Sequence, residues 1–281
     1  MQLCDDICRF LTANGLECTT EKAGSTEVIL TAGPTAVIPL RICASCTDEA
    51  ENAAEQTREV ISQMTEKTGT PPLVITEDRW ALQQEMMQAR LLAHIRIFSQ
   101  IYARNCEVRK IDKQTAAGFL AANHSYGDAA CRYRYGLFLK RHTGHNLRSG
   151  TLAPGTLVAV ATFSNGRKWI KGDKEIRSYE WTRFASLPGL RISGGMGKML
   201  KHFIEDIHPD DIMTYADLEW SEGSVYEQLG FTLEGQKDPV MFHIGPDWKR
   251  IPVKQETSED GHLYFRNFGS NKYRLKLTQY E

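Results

Sequence analysis

A glycine-rich stretch at residues 194–198 constrains the fold of this chain more than any other feature. It reads Gly-Gly-Met-Gly-Lys, and it lies between a predicted strand over residues 179–185 and a predicted helix over residues 198–207. A strand that passes through glycines into a helix leaves backbone N–H groups without partners, and glycine lets a ligand come close to them. The helix dipole adds partial positive charge there. The stretch therefore predicts either a pyrophosphate site or an ordinary turn.

A second block, over residues 212–231, favours the pyrophosphate site. A strand is predicted over residues 212–216, and a short helix carrying Tyr226 follows it, closed by Leu229-Gly230-Phe231. The sequence at residues 195–200 resembles the "GxGxxL" acyl-CoA loop of the GNAT superfamily of CoA-dependent N-acyltransferases. The segments at residues 224–226 and 230–231 resemble its "YxxxGF" signature. Both motifs occur in the order found in that family, although Ile192 stands where the family has Arg or Gln.

The resemblance implies a mixed α/β fold. It covers residues 106–242, where the predicted order is β-α-β-β-β-α-β-α, followed by a hairpin over residues 231–235 and 240–244. We therefore expect a GNAT-like mixed sheet flanked by helices and preceded by a smaller α/β domain. The predicted boundaries are an accessory domain over residues 1–103, an acyltransferase domain over residues 104–250, and a C-terminal β-hairpin over residues 251–281.

The resemblance also assigns roles to individual residues. Acetyl-CoA, or a similar acyl-CoA, is the expected cofactor, and its acyl group would pass directly to an amine. Tyr226 is the expected general acid toward the CoA sulfur, because a phenol of pKa about 10 can protonate a thiolate; core packing is its alternative role. Glu180 is the candidate for activating the amine. The expected CoA-binding residues are Phe184, Ala185, Gly194, Gly195, Met196, Gly197, Lys198 and Ser224.

Three further residues are candidates for holding the acceptor. Asp217 and Glu219 follow the strand at residues 212–216 and could bind a cationic amine, while His124 lies near the end of a predicted helix. His124 could equally be a packing residue, and Ser224 could simply cap its short helix. The acceptor could be a small molecule or a peptide, and the sequence leaves the acyl group and the oligomeric state open.

The first hundred residues carry a weaker resemblance. Their helices, their predicted hairpin and the segment at residues 73–80 resemble the mismatch-repair-type nuclease domain of phage proteins that join such a domain to a GNAT-like one. That nuclease fold holds a divalent metal through carboxylates. The corresponding strands here are almost bare of acids, and Cys43 and Cys46 lack a second pair of ligands. We therefore expect a degenerate domain and no metal site.

Composition excludes some classes of protein and leaves one alternative function. The formal net charge is −1, and the start of the chain lacks the basic and apolar segments of a signal peptide. Seven scattered cysteines favour reduced thiols and therefore a cytoplasmic protein. We also expect that the protein does not enter membranes. Basic clusters at residues 132–148 and 167–177 support the alternative: a phage-derived, nucleic-acid-associated protein whose GNAT-like part modifies a base or only binds.

Overall fold

The computed structural model describes residues 2–141, 150–221, 223–253 and 262–280. It divides the chain into two compact units, each assembled from separate segments. The first unit comprises Met1–Arg96, Asp217–Ser221 and Lys237–Ser270, and the second comprises Ile97–Ala216, Glu222–Gln236 and Asn271–Glu281. This division differs from the predicted one, because the chain returns to the first unit twice. Part of the basic cluster at residues 132–148 lies outside the described residues.

The first unit contains a four-stranded sheet of order β1-β2-β3-β4. Its strands are β1 (Cys18–Ala23), β2 (Thr26–Thr31), β3 (Ala36–Leu40) and β4 (Leu73–Thr76). The first three run antiparallel, whereas β4 runs parallel to β3, so that a crossover helix is needed between them. This helix is α2 (Thr47–Thr68), and it follows α1 (Gln2–Ala13). Residues of β4 are buried throughout, as their apolar run predicts.

Apolar residues recur at helical spacing over residues 80–103 and predict one long helix, which the structure shows to be wrong. The structure has α3 (Glu77–Leu82) and α4 (Gln84–His94), and then β5 (Ser99–Tyr102) and a short 3-10 turn (Ala103–Asn105). Arg96 adopts a φ of 65°, a left-handed conformation that ends a helix. The residues of β5 alternate between buried and exposed positions, which is the strand period and not the helical one.

A three-stranded sheet of order β15-β14-β16 completes the first unit. Its strands are β14 (Met241–Ile244), β15 (Arg250–Pro252) and β16 (Leu263–Arg266), and all their pairings are antiparallel. The predicted closing hairpin over residues 231–235 and 240–244 is therefore wrong, because its second half belongs to this separate sheet. The predicted C-terminal hairpin is wrong for the same reason, since β16 pairs with β14.

The second unit is built on an eight-stranded mixed sheet. Its main path has the order β13-β17-β12-β10-β8-β7-β6, and β9 pairs with β10 beside it. Its strands are β6 (Cys106–Lys110), β7 (Tyr133–Leu139), β8 (Leu157–Phe163), β9 (Arg167–Lys171), β10 (Lys174–Ser186), β12 (Asp211–Asp217), β13 (Thr232–Lys237) and β17 (Ser270–Lys276). The pairing of β10 with β12 is parallel, whereas β6, β7, β8 and β10 pair antiparallel. The predicted mixed α/β fold class is confirmed, whereas β9 is a strand that the sequence did not predict.

Helices cover both faces of this sheet. They are α5 (Lys113–Asn123), α6 (Gly195–Ile207) and α7 (Ser224–Gln228), and a short strand β11 (Leu190–Ser193) pairs with β5 ahead of α6. On one face, Phe203 of α6 stacks on Phe163 of β8 with ring centroids 3.8 Å apart. On the other, α5 packs through Ala116 and Leu120 against Val160. Within the described residues, no helix is sufficiently long and apolar to cross a bilayer.

Candidate acyl-transfer site

The parallel strands β10 and β12 separate part-way along their length. They pair from Ser178–Asp211 to Glu180–Met213, and no further pairing joins them although β10 continues to Ser186 and β12 to Asp217. The carbonyl of Trp181, the first residue beyond the pairing, accepts a hydrogen bond from the hydroxyl of Thr214 at 3.1 Å. Where the strands separate, a side-chain hydrogen bond thus takes the place of the backbone hydrogen bonds between them. The result is an opening in the sheet with backbone groups along its edges.

A β-bulge lies in β10 just beyond this separation. Trp181 pairs with Phe163 of β8 and Arg183 pairs with Thr162, so that Thr182 is an extra residue in β10. A bulge bends its strand and redirects the backbone groups that follow it. The backbone groups that follow the bulge belong to Phe184 and Ala185, two of the residues expected to bind acyl-CoA. The side chain of Phe184 is half-buried against Trp181, and that of Ala185 packs in the core beneath α5.

The glycine-rich stretch forms the first turn of α6. Gly194 is the N-cap with a φ of 75°, and the helix begins at Gly195, three residues before the predicted start. The first hydrogen bond into the cap runs from the N–H of Lys198 to the carbonyl of Gly194. The N–H groups of Gly195, Met196 and Gly197 therefore have no acceptor within the helix, as at any helix N-terminus. The dipole of α6 favours an anion beside these N–H groups.

The side chain of Lys198 does not serve this anion site. Its ammonium donates to the carbonyl of Ala103 at 2.9 Å and to that of Cys106 at 2.6 Å. It therefore holds the turn before β6 against α6, and its ammonium is not free to bind CoA as its predicted role requires. Two loop glycines also have packing roles: a Cβ at Gly195 would lie 3.0 Å from Ile192, and one at Gly197 would lie 3.2 Å from Leu229.

Tyr226 lies on the α6 face of the sheet, beside the separation of the strands. Its ring packs edge-on against Trp181 and close to Tyr273, which confirms the packing role. Burial raises the pKa of its phenol, and the hydroxyl of Thr214 is hydrogen-bonded to it. The hydrogen bond with Thr214 opposes part of this rise in the pKa. Tyr226 is thus a protonated phenol held next to the opening.

Glu180 lies on the opposite face, at the last paired position before the strands separate. Its backbone N–H donates to the hydroxyl of Ser164 at 2.8 Å, and its side chain lines a cavity of about 370 Å³. Side chains alternate between the two faces of a strand, so Glu180 and Trp181 point to opposite sides of the sheet. The opening between β10 and β12 therefore has Glu180 on one side and Tyr226 on the other.

His124 is the C-cap residue of α5, and its loop lies beside β10. Its Nδ1 accepts the N–H of Tyr126 at 3.1 Å, a local bond that shapes the loop. Arg183 of β10 donates to the carbonyl of Gly127 at 3.3 Å, and its guanidinium lies over the ring of Tyr126. The structure thus brings the His124 loop to the bulge, with one imidazole nitrogen already used as an acceptor.

Asp217 and Glu219 do not join the residues of the second unit. Both belong to the first unit, and Asp217 accepts the backbone N–H of Glu219. The carboxylate of Glu219 is 3% exposed and accepts two hydrogen bonds from Arg250, at 2.7 and 3.0 Å, and one from Arg79. The cation predicted to lie against Glu219 is thus supplied by the chain itself. We therefore remove Glu219 from the candidate acceptor-binding residues.

Ser224 is the first residue of α7, and its side chain is exposed. The N-cap is Gly223, with a φ of 93° and no side-chain cap bond, so the predicted capping role of Ser224 is wrong. A Cβ on Gly223 would collide with the ring of Tyr273 at 2.4 Å. This glycine lets the chain pass over Tyr273 and brings Tyr226 back onto the sheet.

Sequence reasoning missed two residues at this site. Thr214 bridges the separating strands, and its position two residues after Ile212 on a predicted strand gives no sign of that bond. Arg167 lines the cavity beside Glu180, but in the sequence it is one of several basic residues in a cluster. The missing information in both cases is the partner strand, which only the folded sheet supplies.

Comparison with known proteins gives matches among solved structures only. No family model and no curated protein match the chain. It is similar to yncA, a putative acetyltransferase of Salmonella typhimurium with its cofactor acetyl-CoA, at 14% identity over 63% of this chain and 96% of that chain, with a TM-score of 0.37. It is also similar to a spermidine N-acetyltransferase SpeG chimera from Vibrio cholerae and hSSAT, at 11% identity over 61% and 96% of the chains, with a TM-score of 0.36.

A third match, Eis1 from Mycobacterium abscessus, is 15% identical over 50% of this chain, with a TM-score of 0.34. The chain spans about a third of the length of Eis1 and of a probable N-acyltransferase from Enterococcus faecalis. The nuclease-like interpretation of the N-terminal segment finds no support in these matches. At these levels of similarity, the activity has to be inferred from the geometry of the chain itself.

Proposed function

We propose that this protein is an acyl-CoA-dependent N-acyltransferase that passes an acetyl or similar group directly to an amine. The observation that carries the proposal is the separation of β10 from β12 after Glu180–Met213, with a bulge in β10 immediately beyond it. The separation opens the sheet between a carboxylate on one face and a protonated phenol on the other. Acyl transfer from a thioester to an amine needs one group that takes the amine proton and another that protonates or stabilises the departing thiolate.

The residues at the start of α6 fit the pyrophosphate of CoA. Three backbone N–H groups, those of Gly195, Met196 and Gly197, lie in one helical turn whose dipole favours an anion. Gly194 adopts the left-handed conformation, and an added Cβ there would meet only Ala103 within 4 Å, so this turn is not filled by side chains. Acyl-CoA would supply the activated thioester carbonyl. The chain would supply binding, orientation and proton transfer.

Each group has a distinct role in this scheme. Glu180 would take the proton that the amine loses as its nitrogen bonds to the acyl carbon. The backbone N–H of Phe184, after the bulge, would donate to the carbonyl oxygen as negative charge develops on it. The N–H of Ala185 points the other way, toward its partner strand β8. Tyr226 would give its proton to the departing sulfur, and burial keeps that proton in place at neutral pH by raising the pKa of the phenol.

The direct test combines cofactor binding with one substitution. Isothermal titration should detect acetyl-CoA, and acetyl transfer to an amine panel should fall by about 10²- to 10⁴-fold in E180Q while acetyl-CoA affinity is retained. Glu175 is a matched control, since its exposed carboxylate lies on the same strand and pairs with Lys168. Absence of acetyl-CoA binding at millimolar concentration would refute the proposal, and so would an E180Q variant as active as E175Q.

A further inference from the structure

The cavity beside Glu180 has walls made entirely by the second unit. Its lining residues come from β9, β10, β12, β13, β17 and the loop before β9. Its volume of about 370 Å³ lies in the range of small-molecule sites. It is the space from which an amine would approach Glu180.

Most of the charged groups in this cavity neutralise one another. Arg274 donates to Asp211 at 2.8 Å and to Glu234 at 2.7 Å, and Lys272 also pairs with Glu234 at 2.7 Å. Asp211 in addition accepts hydrogen bonds from the hydroxyls of Ser178 and Tyr280. These groups form a closed network along one wall. They have little capacity left for a ligand.

Two charged groups remain outside that network. Neither the guanidinium of Arg167 nor the carboxylate of Glu180 makes a side-chain hydrogen bond or ion pair with the part of the chain that the structure describes. Arg167 lies directly opposite Ser178 in the β9–β10 register, and Glu180 is two residues beyond Ser178 on the same face. Diagonal neighbours of this kind have backbones about 7–8 Å apart. The cavity thus presents a free cation and a free anion at a short separation.

The wall next to Arg167 is aromatic. Trp169 faces the cavity two residues along β9, paired with the buried Ile176, and 52% of its surface is exposed. The flat face of its indole suits an apolar or planar group. Lys168 lies between Arg167 and Trp169 in β9, on the opposite face, and pairs instead with Glu175 at 2.9 Å. Within β9, the unpaired guanidinium of Arg167 and the indole of Trp169 thus both lie on the cavity side.

Building on the proposed function, we propose that the acceptor is an amine that also carries an oxyanion. Its nitrogen would lie at Glu180, its carboxylate or phosphate at Arg167, and its apolar or planar body on Trp169. Arg167 is then a specificity-determining residue. It would distinguish an amino acid or an aminoalkyl phosphate from a simple amine or a polyamine, which lacks a group to pair with the guanidinium.

Matched acceptor pairs test this inference. Phenylalanine and phenethylamine differ by one carboxylate, and O-phosphoethanolamine and ethanolamine differ by one phosphate, so the two pairs also distinguish the two kinds of oxyanion. We expect the wild-type protein to prefer the anionic member of at least one pair by about 10- to 100-fold, in kcat/KM with acetyl-CoA as donor and in Kd when loaded with CoA. R167M should abolish that preference, and K168M should retain it.

The outcomes separate this inference from the proposed function. If acetyl-CoA binds and amines are acetylated without preference for an oxyanion, the inference is refuted and the transferase stands. A preference that survives in R167M equally refutes the role of Arg167. If none of the four acceptors binds to the CoA-loaded protein, the inference fails as well. Failure of acetyl-CoA itself to bind would instead refute the proposed function.

Discussion

The anion site at the start of α6 can be tested by a change of charge at nearly constant shape. Gly194 has a φ of 75°, and Asn and Asp are the residues that adopt this conformation most readily after glycine. A Cβ at this position would lie 3.7 Å from that of Ala103, an ordinary contact, so both substitutions fit. Each should reduce stability by about 1 kcal/mol through its backbone conformation. G194D and G194N then differ in one unit of negative charge beside the same amides.

The expected difference follows from Coulomb's law. A carboxylate about 5 Å from one phosphate charge, at an effective dielectric constant of 20, repels it by about 3 kcal/mol. This corresponds to roughly 100-fold weaker binding of CoA to G194D than to G194N. Isothermal titration of both variants at low and high salt measures this difference in CoA affinity. The difference should become smaller as salt rises, because ions screen the repulsion. Equal affinities for folded G194D and G194N would refute the placement of the pyrophosphate at this turn.

Three further expectations concern the phenol, the buried charges and acid stability. Y226F should lower kcat by about 10²-fold with an unchanged KM for acetyl-CoA, because the ring remains packed; equal kcat values would contradict the general-acid role. R250M should lose about 3–5 kcal/mol in denaturant unfolding, because two carboxylates, each 3% exposed, lose their partner. K249M, which removes an exposed ion pair, should lose little, and equal losses would contradict this account. Hydrogen bonding to Arg274 lowers the pKa of Glu234 to about 2, so E234Q should flatten the loss of stability as pH falls from 4.5 toward 2, and an unchanged acid profile would contradict that contribution.

Local signals in the sequence were sufficient for the core of the second unit. Apolar runs predict the strands β7, β8 and β12, and glycines mark the turn before α6. These patterns are local in the sequence, and the structure confirms the order of the elements that they predict. The glycine stretch was correctly placed at a helix N-terminus, although the helix begins earlier than predicted. Glu180 was assigned through the family resemblance, from its place on the strand before the glycine stretch, and its role stays a prediction.

Long-range pairings explain the features that the sequence did not reveal. The strand β17 lies between β12 and β13, and residues between β13 and β17 belong to the other unit, an arrangement that no local pattern encodes. Glu219 looks like a free carboxylate in sequence, yet its partner Arg250 is far along the chain. The role of Lys198 was misjudged similarly, because its acceptors are backbone carbonyls, which carry no side-chain signal.

The most direct test of the central claim is a map of backbone amide NMR shifts during titration with acetyl-CoA. The account predicts saturable shifts at the N–H groups of Gly195, Met196 and Gly197, together with that of Phe184 after the bulge. Shifts confined to other parts of the second unit, or to the first unit, would show that the opening between β10 and β12 is not the site of acyl transfer.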